Sequence, residues 1–242
     1  MIQVQNLSYS YGHGAKVLQF LTFHIQKGEK WGIMGPMGAG KTTLLMAIAG
    51  LVDFEGEINI NGLAWDKEGE SQIRKMIGIL FQNPDDQLFM PTVEEDIGFG
   101  LIQMGLPREE IQNRIDEILK KFSLENFKSR SSHHLSGGEK KLVALAAVLV
   151  MNPEILLLDE PSANLDTYYR RRMIQEIQSL EKTFLIASHD LDLLWEVTEK
   201  IILLDQGKIV EIGRTQEILS NQDLLKAHKL ELPLLLQEKK GK

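Results

Sequence analysis

The segment "GPMGAGKT", residues 35–42, constrains the fold of this chain more than any other feature. It satisfies the pattern G-x-x-x-x-G-K-[ST] and lies between a strand-like run, "KWGIM", and a helix-like run, "KTTLLMAIAGL". A strand, a glycine-rich turn and a helix in this order surround a di- or triphosphate with backbone N–H groups and the positive end of the helix. The motif alone could be a glycine-rich turn with an exposed lysine. The strand and the helix beside it favour a phosphate loop.

The residue types in this loop have distinct predicted roles. Lys41 should reach the β- and γ-phosphates of a nucleotide, and the Thr42 hydroxyl should ligate Mg²⁺. The glycines let the backbone N–H groups curl around the phosphate oxygens. The predicted nucleotide-binding residues of the loop are Gly35, Pro36, Met37, Gly38, Ala39, Gly40, Lys41, Thr42 and Thr43.

Strand-like and helix-like runs alternate through the second half of the chain. The strand-like runs are "EILLLD", "TFLIA" and "KIILLD", and the helix-like runs between them are "YYRRRMIQEIQSL" and "LDLLWEV". This alternation predicts a parallel sheet covered by helices on both faces. Together with the phosphate loop it indicates an α/β fold, a P-loop NTPase core with a mainly parallel sheet.

Further elements flank this core. "IQVQNLSY", "TFHI" and "GEINING" are β-rich, and the Asn61-Gly62 pair is typical of a hairpin turn, so we expect an N-terminal antiparallel β subdomain. Polar loops around one amphipathic helix predict an inserted α-helical subdomain over about residues 83–147. The apolar face of that helix is formed by Ile111, Ile115, Ile118, Leu119 and Phe122. "LLDQGKIVEIG" predicts a second hairpin, so we assign residues 1–213 to one domain and 214–242 to a mainly helical C-terminal tail.

The composition disfavours several classes of function. The 242 residues carry a formal net charge of −7, whereas broad binding to nucleic acid needs a basic face. Without cysteine, the chain forms neither disulfides nor cysteine-ligated zinc sites. The N-terminus lacks the features of a signal peptide, and the longest apolar stretch, residues 142–151, is about half of a membrane span. We therefore expect a soluble protein, with no nucleic acid partner, that can sit against a membrane.

Polar residues follow three of the strand-like runs. "ILLLDE" ends in Asp159 and Glu160, and strand ends in an open α/β sheet face the ligand crevice. Asp159 should contribute to the Mg²⁺ shell, and Glu160 should orient or deprotonate the attacking water. Gln82 could bridge Mg²⁺ and water, and His189 could donate a hydrogen bond to the γ-phosphate. Taken singly each could cap a turn or lie on the surface, but their spacing relative to the phosphate loop favours catalysis.

The segment "LSGGE", residues 135–139, precedes the apolar run "KKLVALAAVLVM". Ser136 and Glu139 have the spacing of a capping box, which would begin a helix here. Two successive glycines weaken a helix by up to ~1 kcal/mol each, and a capping box does not require them. Close approach of a ligand to the backbone explains them better.

Together these motifs resemble the ATPase subunit of an ABC transporter. The matching segments, in the order of that family, are "GPMGAGKT", Gln82, "LSGGE", "ILLLDEP", "SANLD" and His189, and they span the chain up to about Gly213. The resemblance implies ATP and Mg²⁺ as ligands and a second ATPase subunit, identical or different, packed head to tail. The residues it places on the nucleotide of the opposite subunit are Ser136, Gly137 and Gly138. It also implies that Asp166 couples the two sites and that Tyr11 stacks on adenine.

A narrower resemblance covers "FQNPDDQLFMPTVEEDIGFG", residues 81–100. It is similar to the same region of energy-coupling-factor transporters, which import metal ions and vitamins with a transmembrane coupling protein and a separate substrate-capture membrane protein. The chain length and the tail segment "KAHKLELPLL" favour cobalt or nickel importers within that group. The resemblance implies both membrane proteins as partners and a peripheral location on the cytoplasmic face of the cell membrane. We expect Leu88, Phe89 and Phe99 to anchor a coupling helix, although the stretch could be only a proline-bounded loop.

Two residues depart from the pattern of the family. Glu139 stands where glutamine is most common, which keeps the capping box but adds a negative charge near the implied interface. Asn164 occupies a position that a small residue usually fills. Both departures affect details of the interface rather than nucleotide binding.

The sequence thus predicts the ATP-hydrolysing subunit of an energy-coupling-factor importer, which dimerises on ATP to drive uptake of cobalt or nickel ions or of a vitamin. One alternative is the ATPase of another importer or exporter. Another is a soluble ABC ATPase that acts on DNA or ribosomes, but the chain lacks the long coiled coils, zinc modules or tandem ATPase halves of that class. In a third, a single-site P-loop kinase, "LSGGE" would be only a helix cap.

Overall fold

The computed structural model describes residues 1–12 and 14–237, so residues 238–242 of the predicted tail lie outside the described part. The strands are β1 (Ile2–Ser10), β2 (Lys16–Ile25), β3 (Lys30–Met34), β4 (Glu55–Ile60), β5 (Leu63–Ala64), β6 (Ile77–Leu80), β7 (Ile155–Asp159), β8 (Thr183–Ala187), β9 (Lys200–Asp205) and β10 (Lys208–Arg214). The helices are α1 (Lys41–Ile48), α2 (Glu70–Met76), α3 (Val93–Gln103), α4 (Arg108–Lys121), α5 (Gly137–Leu149), α6 (Thr167–Gln178), α7 (Leu191–Val197), α8 (Thr215–Ser220), α9 (Gln222–Ala227) and α10 (Leu234–Gln237).

The first sheet is antiparallel, with strand order β2-β1-β4-β5. Its β4–β5 turn has Asn61 at φ 52° and Gly62 at φ 83°. Positive φ at both central residues is the backbone that a two-residue hairpin needs, and asparagine and glycine reach it most easily. The antiparallel β subdomain and its hairpin are therefore confirmed.

The second sheet has the order β10-β9-β3-β8-β7-β6. Strands β9, β3, β8, β7 and β6 pair in parallel, and β10 adds an antiparallel edge through the hairpin at Gln206 and Gly207. This arrangement is the predicted core with a mainly parallel sheet.

Successive residues of the central strands enter two different cores. In β7, Ile155 and Leu157 join the core beneath α1 and the antiparallel sheet, whereas Leu156 and Leu158 join the core formed with the remaining helices. All four side chains are fully buried. Burial on both faces explains why the strands of this sheet read as unbroken apolar runs rather than as alternating patterns.

The helical block packs directly onto this sheet. Ile97 of α3 and Ile115 of α4 belong to the same core as Leu145 of α5 and Leu156 of β7. Helix α5 runs to Leu149, past the predicted end of the block near residue 147. The block is therefore continuous with the core of the sheet.

The described part of the tail also packs against the rest of the chain. Ile218, Leu219 and Leu225 are buried in the same core, and the N–H of Leu235 donates to the Asp192 carboxylate at 3.0 Å. Within residues 1–12 and 14–237, none of the helices combines the length and apolar character needed to span a bilayer.

Candidate active site

The predicted phosphate loop joins β3 to α1 and depends on three glycines. Gly35 has φ 154°, and a Cβ on it would lie 1.9 Å from the carbonyl oxygen of Leu204. Gly40, the residue before α1, has φ 102° and would bring a Cβ to 2.9 Å from Leu18. Gly38 has φ 78°, but a Cβ on it would meet nothing within 4 Å, so its backbone faces open space. Neighbouring residues thus close the loop on one side and leave its backbone accessible on the other.

Two side chains at the start of α1 connect the loop to the carboxyl end of β7. The Thr42 hydroxyl donates to the Asp159 carboxylate at 3.0 Å, and Lys41 donates to the carbonyl oxygens of Gly35 and Pro36 at 2.9 and 3.2 Å. Burial lowers the pKa of Lys41 and raises the pKa of Asp159. Both charged groups are thus partly withdrawn from water, where interactions with an incoming anion or cation are strengthened.

Hydrogen bonds fix both the side chain and the backbone of Glu160. Its carboxylate accepts hydrogen bonds from the Ser188 hydroxyl and the His189 N–H at 3.1–3.2 Å, and His189 Nδ1 lies 2.7 Å from it. Its carbonyl oxygen accepts a hydrogen bond from the ammonium of the buried Lys141 at 2.7 Å. Its φ is 44°, a backbone conformation that costs a non-glycine residue about 1–3 kcal/mol unless its surroundings fix it. These contacts are the surroundings that fix it.

The loop that carries His189 is fixed by a partly buried ion pair. The guanidinium of Arg170 donates two hydrogen bonds of 2.7 Å to Asp190, which also caps α7 through the N–H of Leu193. Burial opposes ionisation of Asp190, but the hydrogen bonds from Arg170 and Leu193 outweigh it and lower the pKa of this carboxyl. The His189 side chain is 67% exposed, so its ring is open to solvent apart from the contact between Nδ1 and Glu160.

Most of the predicted site residues converge on one cavity of about 670 Å³. The predicted residues that line it are Tyr11, Gly35, Pro36, Met37, Gly38, Ala39, Gly40, Lys41, Thr42, Thr43, Gln82, Glu160 and His189. Tyr11 is 58% exposed and stands edge-on to Tyr9, with ring centroids 4.8 Å apart. Tyr11 therefore presents an exposed aromatic ring to this cavity, and its stacking on adenine stays a prediction.

The "LSGGE" segment lies away from this cavity. Gly137 lines a separate hollow of about 360 Å³, which it shares with Gln82 and Asn164. Ser136 accepts from the N–H of Glu139 at 3.4 Å and Glu139 accepts from the N–H of Ser136 at 2.7 Å, so the predicted capping box is confirmed. Within one chain, the structure does not bring Ser136, Gly137 and Gly138 to the phosphate loop.

The surroundings of the two glycines in this segment differ, so glycine is explained differently at positions 137 and 138. A Cβ on Gly137 would meet nothing within 4 Å, whereas a Cβ on Gly138 would lie 2.2–2.8 Å from the side chain of Tyr169. Tyr169 lies in the first turn of α6, and its N–H is bonded at 2.8 Å to Asp166, the helix cap. Ligand approach is therefore not needed to explain Gly138, because packing against α6 requires glycine there.

A profile of the family described as ABC transporter matches residues 18–163. The chain belongs to the ABC transporter family. The energy-coupling factor transporter ATP-binding protein EcfA of Methanocaldococcus jannaschii is 39% identical over 239 residues, which cover 96% of this chain and 86% of that protein. A putative ABC transporter ATP-binding protein of Streptomyces avermitilis is 43% identical over 233 residues, covering 96% and 89% of the two chains. The protein is thus an ABC ATPase of the energy-coupling-factor type, and it hydrolyses ATP.

Solved structures of ABC ATPases have the same architecture. CbiO1 from Clostridium perfringens, described as part of the ABC transporter complex cbiONQ, matches with a TM-score of 0.81 and 33% identity over 93% of both chains. The ATP-binding cassette MJ0796, solved as a dimer in a post-hydrolysis state bound to ADP and Pi, matches with a TM-score of 0.79 and 30% identity over 89% of this chain and 99% of that one.

The ABC ATPase has a second large cavity, of about 680 Å³, between α2, α3 and the end of α5. Phe89 and Phe99 line it with their rings edge-to-face, 5.1 Å apart at the centroids, and they are 59% and 37% exposed. Leu88, the third predicted anchor, is only 3% exposed. The prediction for Leu88 was wrong, because its side chain fills the core beneath the surface that the two phenylalanines form.

Sequence reasoning missed five residues around the active site of this ABC ATPase. Lys141 and Ser188 contact Glu160, and Val17 of β2 and Lys229 and Leu230 of the tail line the 670 Å³ cavity. The one available signal was a lysine inside the apolar helix after "LSGGE", since a lysine is rarely buried without a partner. A tail residue some two hundred positions from Tyr11 carries no local signal of this kind.

Proposed function

We propose that this ABC ATPase dimerises head to tail on ATP and drives uptake of cobalt or nickel ions, or of a vitamin, as the peripheral subunit of an energy-coupling-factor importer on the cytoplasmic face of the membrane. The separation of the two halves of the predicted site carries the proposal. The phosphate loop and Glu160 share one cavity, and the "LSGGE" helix start opens elsewhere. A second copy turned head to tail supplies the missing half.

The side chains divide the chemistry among themselves. The loop N–H groups and Lys41 hold the β- and γ-phosphates, and the second subunit's Ser136 and Gly137 donate to the γ-phosphate from the far side. Glu160 orients the attacking water, and the Ser188 hydroxyl and the His189 N–H keep its carboxylate in place. His189 and Gln82 line the same cavity, where His189 donates to the γ-phosphate and Gln82 bridges Mg²⁺ and the water.

The residues present fit Mg²⁺. Thr42 and Asp159 offer a hydroxyl and a carboxylate already 3.0 Å apart, and Gln82 offers an amide oxygen. Among residues 1–12 and 14–237, no three His, Cys, Asp or Glu side chains converge as a metal cage. Mg²⁺ is normally held by one or two carboxylates and substrate phosphates rather than by such a cage. Bound there, the ion would neutralise charge that develops on the phosphates.

The proposed dimer is tested with Glu160→Gln. This variant should bind ATP, hydrolyse it at least about a hundredfold more slowly because the general base is lost, and accumulate as a dimer. Molar mass from light scattering, with and without MgATP, gives the result. Glu211→Gln, the same change at an exposed position of β10, should hydrolyse ATP like the wild type. A Glu160→Gln protein that stays monomeric in saturating MgATP, alone and with its membrane partners, would contradict the proposal.

The same proposal assigns the 680 Å³ groove to a membrane partner. The exposed aromatic rings that line it suit the apolar tip of a short helix. The exposed Lys67 and Lys75 suit an acidic neighbour, whereas Arg74 is already paired with Glu70 of the same lining at 2.7 Å. We expect the double variant Phe89→Ser, Phe99→Ser to lose co-purification with the membrane proteins while its own ATP hydrolysis is retained. Phe20→Ser, at a 66% exposed phenylalanine on β2, is the matched control.

The cargo is tested in cells. Uptake of radioactive cobalt and nickel should fall in cells that carry Glu160→Gln in place of the wild type. Uptake of a vitamin that falls instead selects the second cargo class, and loss of neither points to another importer or exporter. Release of the native protein from its sedimenting complex by nuclease, rather than by detergent, would favour the soluble ABC ATPases of DNA or ribosomes.

A further inference from the structure

The C-terminal tail ends its helix α9 with an unusual residue. Leu230 N–H donates to Leu225 O at 2.9 Å and Lys229 N–H donates to Lys226 O at 3.1 Å, which is the hydrogen-bond pattern of a Schellman motif. Lys229 occupies the left-handed position of this motif, with φ 58°. Glycine is usual there, because its lack of a Cβ makes the left-handed conformation free of the steric cost that other residues meet. This chain has a lysine instead.

The motif is fixed against the phosphate loop. His228 Nδ1 lies 2.7 Å from the carboxylate of Asp205, the last residue of β9. Two residues further on, the N–H of Gly207 donates to the carbonyl of Ala39 in the phosphate loop at 3.1 Å. Through these two contacts, Lys229 lies on the wall of the cavity that contains the phosphate loop.

Charge indicates what Lys229 contacts. Lys41 and Lys229 are the two lysines among the described residues that line this cavity, whereas Glu160 contributes a negative charge. Lys41 is already bonded to two carbonyl oxygens of its own loop. A nucleoside di- or triphosphate brings several negative charges to this wall, and an exposed ammonium nearby is attracted to them.

We propose that Lys229 is a nucleotide-binding residue supplied by the tail, whose ammonium group contacts the polyphosphate of the bound nucleotide. This inference rests on the proposed nucleotide cavity. Backbone strain held beside a ligand site is a feature of binding residues, because the surrounding structure keeps the residue where the ligand needs it. Here the Schellman motif and the contact between His228 and Asp205 keep it there.

The substitution Lys229→Gly separates binding from structure. Glycine relieves the left-handed strain, so the melting temperature of the nucleotide-free protein should rise by about 2–4 °C. The Kd for MgATP and for MgADP, measured by calorimetry, should nevertheless increase about three- to tenfold, and this loss should shrink at high ionic strength. A purely structural lysine predicts the rise in melting temperature with unchanged Kd, which would overturn the inference.

Three further variants and one ligand complete the test. Lys229→Arg should keep the affinity, and Lys226→Ala, which removes an exposed lysine from the same helix, should leave it unchanged. Adenosine has no phosphate, so an equal loss of adenosine affinity in Lys229→Gly would overturn the polyphosphate contact. Lys41→Ala reports on the cavity itself: normal MgATP affinity in that variant would refute the proposed site, whereas unchanged affinity in Lys229→Gly alone would refute only the role of Lys229.

Discussion

Lys141 makes the free energy of unfolding of this protein vary with pH in the alkaline range. It is 3% exposed in α5, and its ammonium donates to the carbonyl oxygen of Glu160 at 2.7 Å. Burial lowers its pKa to about 8 from the ordinary value of 10.5, although the charges of Glu160 and Asp159 oppose the shift. As pH rises, the folded protein therefore loses this proton before the unfolded chain does.

The magnitude follows from the two pKa values. Between about pH 8 and 10.5 the unfolded chain binds more protons than the folded protein, so the free energy of unfolding rises with pH at up to about 1.4 kcal/mol per pH unit. A difference of roughly 2.5 units corresponds to about 3 kcal/mol in full, of which about 2 kcal/mol falls between about pH 7 and about pH 9.5. Below the folded pKa both states are protonated and the contribution is constant.

The measurement compares the wild type with Lys141→Met, which keeps the length of the side chain but does not titrate. Urea unfolding at the two pH values gives the free energy of unfolding of each protein. The free energy of unfolding of the wild type minus that of the variant should be about 2 kcal/mol larger at the higher pH than at the lower. The carbonyl of Glu160 loses its donor in the variant, at a cost of about 1–3 kcal/mol, but this cost is the same at both pH values and cancels.

Lys120→Met, at an exposed position of α4, controls for the change in total charge. A difference between wild type and Lys141→Met that stays flat from neutral to alkaline pH would refute the reasoning, because it would mean that Lys141 is as well hydrated in the folded protein as in the unfolded chain.

Three further predictions concern packing, caps and an ion pair. Gly138→Ala should lower the free energy of unfolding by about 1–3 kcal/mol through its collision with Tyr169, and the additional change Tyr169→Ala should remove most of that effect in a double-mutant cycle. Ser136→Ala should cost about 1 kcal/mol in chemical unfolding, because the capping box is lost. Arg170→Met removes the partner that lowers the pKa of Asp190. The pair stabilises the folded protein at pH values above 3.8, the ordinary carboxyl pKa, and this stabilisation is lost as acid protonates Asp190. The free energies of unfolding of the wild type and Arg170→Met, measured at decreasing pH, should therefore converge.

The elements that the sequence predicted are those with strong local signals. The runs that became β7, β8 and β9 are apolar because both faces of the sheet are buried, and the turns at Asn61 and Gln206 contain residues that accept positive φ. Helix α2 was missed, since it has seven residues of which only Ile73 is buried. A single buried residue gives no apolar period, whereas α7, which is equally short, buries three residues and was predicted.

Side-chain partners of the site could not be read from spacing in the same way. The prediction for Leu88 failed because apolar residues suit a partner surface and a core equally well, and only the fold distinguishes the two. Packing against Tyr169, a residue about thirty positions away, requires glycine at position 138, and no local pattern signals that contact. The contacts of Lys141 and Lys229 join segments far apart in the chain, so they follow from the fold and not from any motif.

The alternation of β7 between two cores restricts how homologues of this protein can differ in length. Inserting or deleting a single residue at the start of that strand would exchange its two buried faces, moving Leu156 and Leu158 into the wrong core. It would also carry Asp159 away from the hydroxyl of Thr42. We therefore expect natural length variation to be absent from this strand and concentrated in exposed turns, such as the one around Lys67 that precedes α2.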